Sequence, residues 1–397
     1  MAKVLHGNVA LGSFPAQEHS LRSVWTLRLT LGFIALLGAM IFFLGTNWDI
    51  QWHTFIGRDR TLIPPHIMML GGVAMSSLAA LVAILIETTW TRRSSTLPPY
   101  SVPFAGIFHG PLGAYTAGFG ALGSAIAFPL DSYWHALYGI DVTIWAPFHI
   151  MIIVGMGIAA LGASYMLASA AHLATRGGAF QAARAGYMGT LIAFATMLSI
   201  LALLTLNAVN SKNFIALPPF TINVFSLLAG LLGAWTFVAI ASALPWRWAA
   251  STVCGLSFLL VALGGAMVPP AMDFLMSFEH LSFRANPGDL LVNPHLPVVA
   301  LEWPGTSLIL AAILIDLVML IARRKNWSRR TQTIVLSLVA LAGSLPILPI
   351  EPLLSLEIWY MTGFGFLVSL LLIGLLGTFI GTWLGRGMGE TMQHLER

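Results

Sequence analysis

Long apolar runs, each closed by a short polar or basic patch, succeed one another along the whole chain. They fall at about 26–46, 63–90, 103–130, 146–172, 184–207, 218–244, 249–269, 305–323, 331–349 and 357–385. A helix needs about 20 apolar residues to cross a bilayer, and runs of this length read as membrane helices. The pattern predicts an all-α polytopic membrane bundle of about ten transmembrane helices. Residues 1–25 are polar and mixed, with no apolar core ahead of a small-residue cleavage site. They read as a cytoplasmic N-terminal arm rather than a signal peptide. Residues 26–245 then form a six-helix membrane region, and 246–397 a four-helix region with an outer loop at 270–304.

Composition agrees with the pattern. The chain is 57% hydrophobic and 9% charged, whereas a soluble protein carries roughly a quarter charged residues. The formal net charge of +4 does not indicate nucleic acid, because the basic residues sit between apolar runs. Arg22, Arg28, Arg92, Arg93, Arg176, Arg184, Arg247, Arg323, Arg324, Lys325, Arg329, Arg330 and Arg386 fall on one side of the predicted layout, and only Arg58, Arg60, Lys212 and Arg284 on the other. The positive-inside rule then places both termini in the cytoplasm, in an inner or plasma membrane. The single cysteine, Cys254, lies in an apolar run and permits neither an internal disulfide nor a cysteine metal site.

Two polar hairpins interrupt the apolar pattern, and they repeat each other. Asp49, Trp52, His53, Gly57, Asp59, Pro64, His66, Ile67, Met68 and Gly72 correspond to Asp131, Trp134, His135, Gly139, Asp141, Pro147, His149, Ile150, Met151 and Gly155. Ten identities in register but for one inserted residue indicate duplication. Both hairpins fall at the outer ends of predicted spans in the same orientation. That makes them a parallel internal repeat about an axis along the membrane normal, with equivalent sites near the outer face.

Each hairpin carries metal-ligand spacing. An Asp and a His four residues apart lie on one helix face, as Asp49 with His53 and Asp131 with His135. Pro129 is placed to open a helical turn, and Gly57 and Gly139 to close one. Pro64 and Pro147 then start the next helices, with His66 and His149 in their first turns. The predicted metal ligands are therefore Asp49, His53 and His66, and Asp131, His135 and His149. Three protein ligands leave coordination positions open, which suits catalysis. Two His and one carboxylate are compatible with copper, iron or zinc. The alternative is a hydrogen-bonded structural hairpin. Asp59 and Asp141 can orient a ligand imidazole or cap the following helix. Trp52 and Trp134 read as interface anchors. Met68, Met69 and Met151 are thioether ligands or packing residues, and His109 is a site-facing or a packing histidine of the third span. Asp316, in mid-span, is functional or a hydrogen-bonded packing residue.

At these residues the chain resembles the C subunit of the copper-dependent membrane monooxygenases, the particulate methane and ammonia monooxygenase family. That subunit carries an Asp, a His four later and a second His thirteen beyond it, matched by Asp49, His53 and His66. A second triad, spaced four and fourteen, is matched by Asp131, His135 and His149. The resemblance covers about residues 25–245; family C subunits are shorter, and in some the second triad begins with Asn rather than an Asp. It implies copper, dioxygen, hydroxylation of a small apolar or neutral molecule, and partner membrane subunits with a reductant. The expected function is thus a metal-dependent membrane oxidoreductase, monooxygenase-like. A transporter or metal-handling permease, or a structural or assembly subunit of a respiratory complex, are the alternatives.

Overall fold

A computed structural model of the chain describes residues 14–56, 62–93, 101–139, 144–208, 214–217, 220–280, 307–344 and 356–395. Within a bilayer the backbone must satisfy its own hydrogen bonds, so spanning segments become helices. The apolar runs do so as α1 (Phe14–Phe55), α2 (Pro64–Arg93), α3 (Leu112–Tyr138), α4 (Pro147–Arg176) and α5 (Phe180–Ala202). There follow α6 (Val224–Ala243), α7 (Ala249–Glu279), α8 (Ser307–Lys325), α9 (Arg329–Ser344) and α10 (Leu356–His394). Two antiparallel hairpins, β1 (Val102–Phe104) with β2 (Phe108–Gly110) and β3 (Phe214–Leu217) with β4 (Phe220–Asn223), are the described strands. The protein is an all-α membrane bundle. Among the described residues, seven helices are long and apolar enough to cross a membrane: Leu21–His53, Pro64–Arg93, Pro147–Arg176, Phe180–Thr205, Ser226–Ala243, Ala249–Glu279 and Leu371–His394.

Several expected boundaries move. Helix α1 begins at Phe14, so the apolar span starts at Leu21, inside the expected N-terminal arm. The expected span at 103–130 opens instead on the β1–β2 hairpin, where Ala105 and Gly106 take positive φ. Its helix, α3, runs on to Tyr138 with Pro129 inside it. Pro129 therefore opens no turn: a proline within a membrane helix removes one backbone bond and is tolerated there. Helices α8 and α9 match two expected runs but are not among the seven; α9 has 16 residues, about 24 Å at 1.5 Å per residue. Helix α7 continues through Pro269 and Pro270 to Glu279, so the expected outer loop is helical at 270–279, and 281–304 lie outside the described residues.

Close backbone contacts join the helices in pairs. An added Cβ on Gly38 of α1 would stand 2.6 Å from the Gly72 carbonyl oxygen of α2, and one on Gly72 2.5 Å from that of Gly38. The pair α3–α4 repeats this at Gly120 and Gly155, with 2.5 and 2.6 Å. Any side chain there would push the helices apart. Small residues at interfaces are what membrane helices use to associate, since lipid supplies no hydrophobic drive between them. Gly377, Gly381 and Gly385 form a similar stripe on α10, where a Cβ would strike the backbone of α6. The last helix is thus folded back onto the first region of the chain.

Charge is separated along the bundle axis. Arginines close α2 (Arg92, Arg93), α4 (Arg176) and α8 (Arg323, Arg324), while the Asp and His hairpins occupy the opposite ends of α1–α2 and α3–α4. Arg28 departs from the rest. It is buried, and donates from Nε to Glu87 Oε1 at 2.7 Å, from Nη2 to Glu87 Oε2 at 3.1 Å and from Nη1 to Ser169 Oγ at 2.6 Å. Ser101 also donates to Glu87. This bidentate pair ties α1, α2 and α4 together away from solvent. Removing one member of a buried pair leaves an uncompensated charge, at about 3–5 kcal/mol. Glu87→Ala should therefore lower the thermal unfolding midpoint in detergent sharply, and the apolar double replacement Arg28→Met with Glu87→Leu should restore most of it.

Candidate metal centre

Proline sets where each hairpin re-enters the bundle. Pro64 and Pro147 occupy the first turns of α2 and α4, where a missing amide hydrogen costs nothing and φ is already helical. His66 and His149 follow two residues later, as expected. At the other arm, Asp49 with His53 and Asp131 with His135 occupy the last turns of α1 and α3, each pair on one helical face. Gly139 ends α3 with φ +86°, its N–H bonding the His135 carbonyl, as expected of that glycine. Gly57, Asp59 and Asp141 lie outside the described residues.

Both triads close. His53 Nε2 and His66 Nε2 stand 3.4 and 3.1 Å from the same oxygen of Asp49. His135 Nε2 and His149 Nε2 stand 3.4 and 3.3 Å from one oxygen of Asp131. Ring centroids are 6.0 Å apart in the first pair and 5.6 Å in the second. Within each triad the candidate ligand atoms all lie within 4.8 Å of one another. The six side chains are half-buried, at 15–25% exposure.

The spacing and the donor set fit a shared metal ion. Ligands about 2.0–2.1 Å from one metal stand about 2.9–3.4 Å from each other at octahedral or tetrahedral angles, the separation seen here. Asp131 keeps a second oxygen, Oδ1, buried without a hydrogen bond, while in the first triad both imidazoles converge on Asp49 Oδ1. Hydrogen bonding alone thus leaves these polar groups incompletely satisfied. The last turns of α1 and α3 add the negative end of a helix dipole, which favours a cation. In the second triad, His135 Nδ1 donates to the Gly139 carbonyl oxygen at 3.2 Å. That bond orients the ring and keeps Nε2 toward Asp131, the outer-shell role such bonds play in metal sites.

The surroundings of the two triads differ. Helix α7 covers the first, packing Val268, Met272 and Met276 against Trp52, Ile56 and Ile63. Trp52 is 3% exposed, so it is a core residue here rather than an interface anchor. Over the second, Trp134 contacts Tyr138 and Phe148, and Trp145 Nε1 donates to the Leu204 carbonyl at 2.7 Å, pinning the hairpin to the short 3-10 turn that follows α5. Met69 packs beneath Gly45, Met68 lies partly buried against the core and Met151 is exposed. His109 belongs to β2, where its backbone exchanges two 2.9 Å bonds with the Thr88 hydroxyl. That places it at the arginine-bearing end of α2, remote from both triads.

Asp316 also has a structural task. It is buried and accepts from the Ala250 and Ser251 amides at 3.1 and 2.8 Å and from the Ser251 hydroxyl at 2.7 Å. These are amides of the first turn of α7, which have no partner within their own helix. An acid from α8 thus caps a neighbouring helix. Two glycines of the hairpin frame, Gly38 and Gly120, were legible but unread: each precedes its Asp by eleven residues.

No protein-family model, curated protein or solved structure matches this chain.

Each of the substitutions His53→Ala and His135→Ala should remove about one equivalent of bound metal in elemental mass spectrometry of the purified protein. His109→Ala, outside both triads, should leave the metal content unchanged.

Proposed function

We propose that each triad binds one metal ion, copper before iron or zinc, and that the chain is the metal-carrying membrane component of a monooxygenase-like oxidoreductase. The observation that carries this reading is the convergence of the same three donors, twice, at one end of the bundle. Duplicated ligand spacing, matching ligand separations and the equivalent Gly38–Gly72 and Gly120–Gly155 contacts support a parallel internal repeat. The ten apolar runs support ten spans. The gathering of arginines at the opposite end supports cytoplasmic termini and metal centres toward the outer face.

Copper bound there supplies one-electron redox chemistry and open coordination positions suited to dioxygen. The chain's own residues divide the remaining work. Asp49 and Asp131 offset the cation's charge. The paired imidazoles hold it at a fixed place between two helices, and the Gly139 carbonyl fixes one of those rings. The apolar walls, closed over the first triad by Met272 and Met276, limit water and admit a small apolar or neutral substrate from the bilayer. Electrons come from a reductant by way of other membrane subunits. Asp316, engaged by the first turn of α7, is not available to a translocation path, which favours this reading over a permease.

Purified protein should carry one or two equivalents of copper. Chelation should abolish dioxygen-dependent oxidation of small hydrocarbons or ammonia by membranes containing the assembled complex, and added copper should restore it. Iron in place of copper would retain an oxygenase but break the resemblance. Absence of any metal after reconstitution would make the hairpins structural.

A further inference from the structure

At the end of the bundle opposite the metal centres, α9 and α10 enclose a cavity of about 840 Å³. Its lining is split by chemistry. It combines the basic residues Arg329, Arg330 and Arg386 with the apolar residues Ile334, Phe379 and Trp383. Arg386 is 11% exposed and fixed: Nη1 donates to the Arg329 carbonyl at 2.7 Å, and Nη2 lies 3.5 Å from Glu390. Glu390 also pairs with Arg329. Arg329 and Arg386 thus share one carboxylate, and Arg330 has no ion pair among the described residues. The apolar residues are open, with Ile334, Phe379 and Trp383 exposed by 55%, 47% and 65%.

The axial order of these groups identifies the ligand class. Phe379 precedes Arg386 by seven residues on α10, about 10 Å at 1.5 Å per residue. The cations therefore stand at the helix-end level, and the apolar stripe runs from them toward the middle of the bundle. A soluble anion would use only the upper half. A molecule with a phosphodiester at one end and an acyl chain at the other fills both. We propose that this cavity binds the headgroup and first acyl segment of an anionic phospholipid, held by Arg330 and Arg386 and lying against Phe379 and Trp383. Basic pockets between membrane helices are suited to such headgroups, and guanidinium matches the phosphate oxygens in pairs. The proposal is independent of the metal centres.

Gly387 permits a test that leaves the charges intact. It lines the cavity, and a Cβ added there meets nothing within 4 Å, so Gly387→Leu projects into the ligand space without disturbing the helices. Native mass spectrometry of the full chain in detergent would follow titration with phosphatidylglycerol, phosphatidylcholine and glycerol 3-phosphate. Phosphatidylglycerol should bind at one copy in preference to the other two. Arg330→Gln should weaken it about fivefold, near the worth of one basic residue at a membrane surface, and Gly387→Leu should abolish the specific copy. Equal binding of phosphatidylcholine, or unchanged phosphatidylglycerol binding in Gly387→Leu, would overturn the proposal. Glycerol 3-phosphate binding as tightly as the lipid would overturn it too, by making the site one for a free phosphate.

Discussion

Backbone approach at glycine is the constraint on which the rest of this molecule depends. Where Gly38 meets Gly72 and Gly120 meets Gly155, two helices touch main chain to main chain, which only residues without a Cβ allow. Lipid offers helices no hydrophobic reward for pairing, so such contacts, with their dispersion energy, set which helices pair and at what height. The height matters for chemistry. An Asp at the end of one helix and a His in the first turn of the next face each other only if the helices are held in one vertical register. With a bulkier residue at Gly38 or Gly72, Asp49 and His66 would separate by more than the 3.1 Å observed.

Polar groups inside the bundle then fall into two kinds. Some are fully engaged and hold elements together, as Arg28 with Glu87 and Ser169, or Asp316 with the opening turn of α7. These cross-link helices distant in sequence and give the low-dielectric interior no unpaired charge to bear. The triads are of the second kind. Two imidazoles approach one oxygen of each carboxylate, and Asp131 keeps its other oxygen buried without a hydrogen bond. A structural network closes its bonds; a ligand set keeps some open. That difference, more than residue type, separates the candidate ligand sets from the engaged ions Arg28, Glu87 and Asp316.

The two centres share donors but not surroundings. Helix α7 seals the first with aliphatic and thioether side chains, while aromatic residues and the tie from Trp145 to Leu204 hold the second. The two triads share donor spacing and a glycine crossing, and α7 packs over the first. Solvent access and local dielectric govern both metal affinity and redox behaviour, so the two sites are chemically distinct despite their common spacing.

What the sequence by itself determined was local. Apolar runs about 20 residues long dictate membrane helices, because a helix of that length crosses the bilayer with every backbone bond satisfied within itself. An i, i+4 Asp–His pair and a proline two residues before a histidine dictate which side chains share a helix face and where the next helix begins. Those relations depend on helix geometry alone, and all six triad residues were legible from them. Tertiary structure decided what depends on neighbours far along the chain. Trp52 reads as an interface residue until α7 covers it. His109 reads as part of a span until Ala105 and Gly106 turn the chain into a hairpin. Asp316 reads as a candidate functional acid until α7 presents its first amides to it, and Arg28 as one more cation at a helix end until Glu87 and Ser169 close on it. In each case the side chain's role was set by a partner some 20 to 220 residues away, which spacing within one helix has no means of specifying.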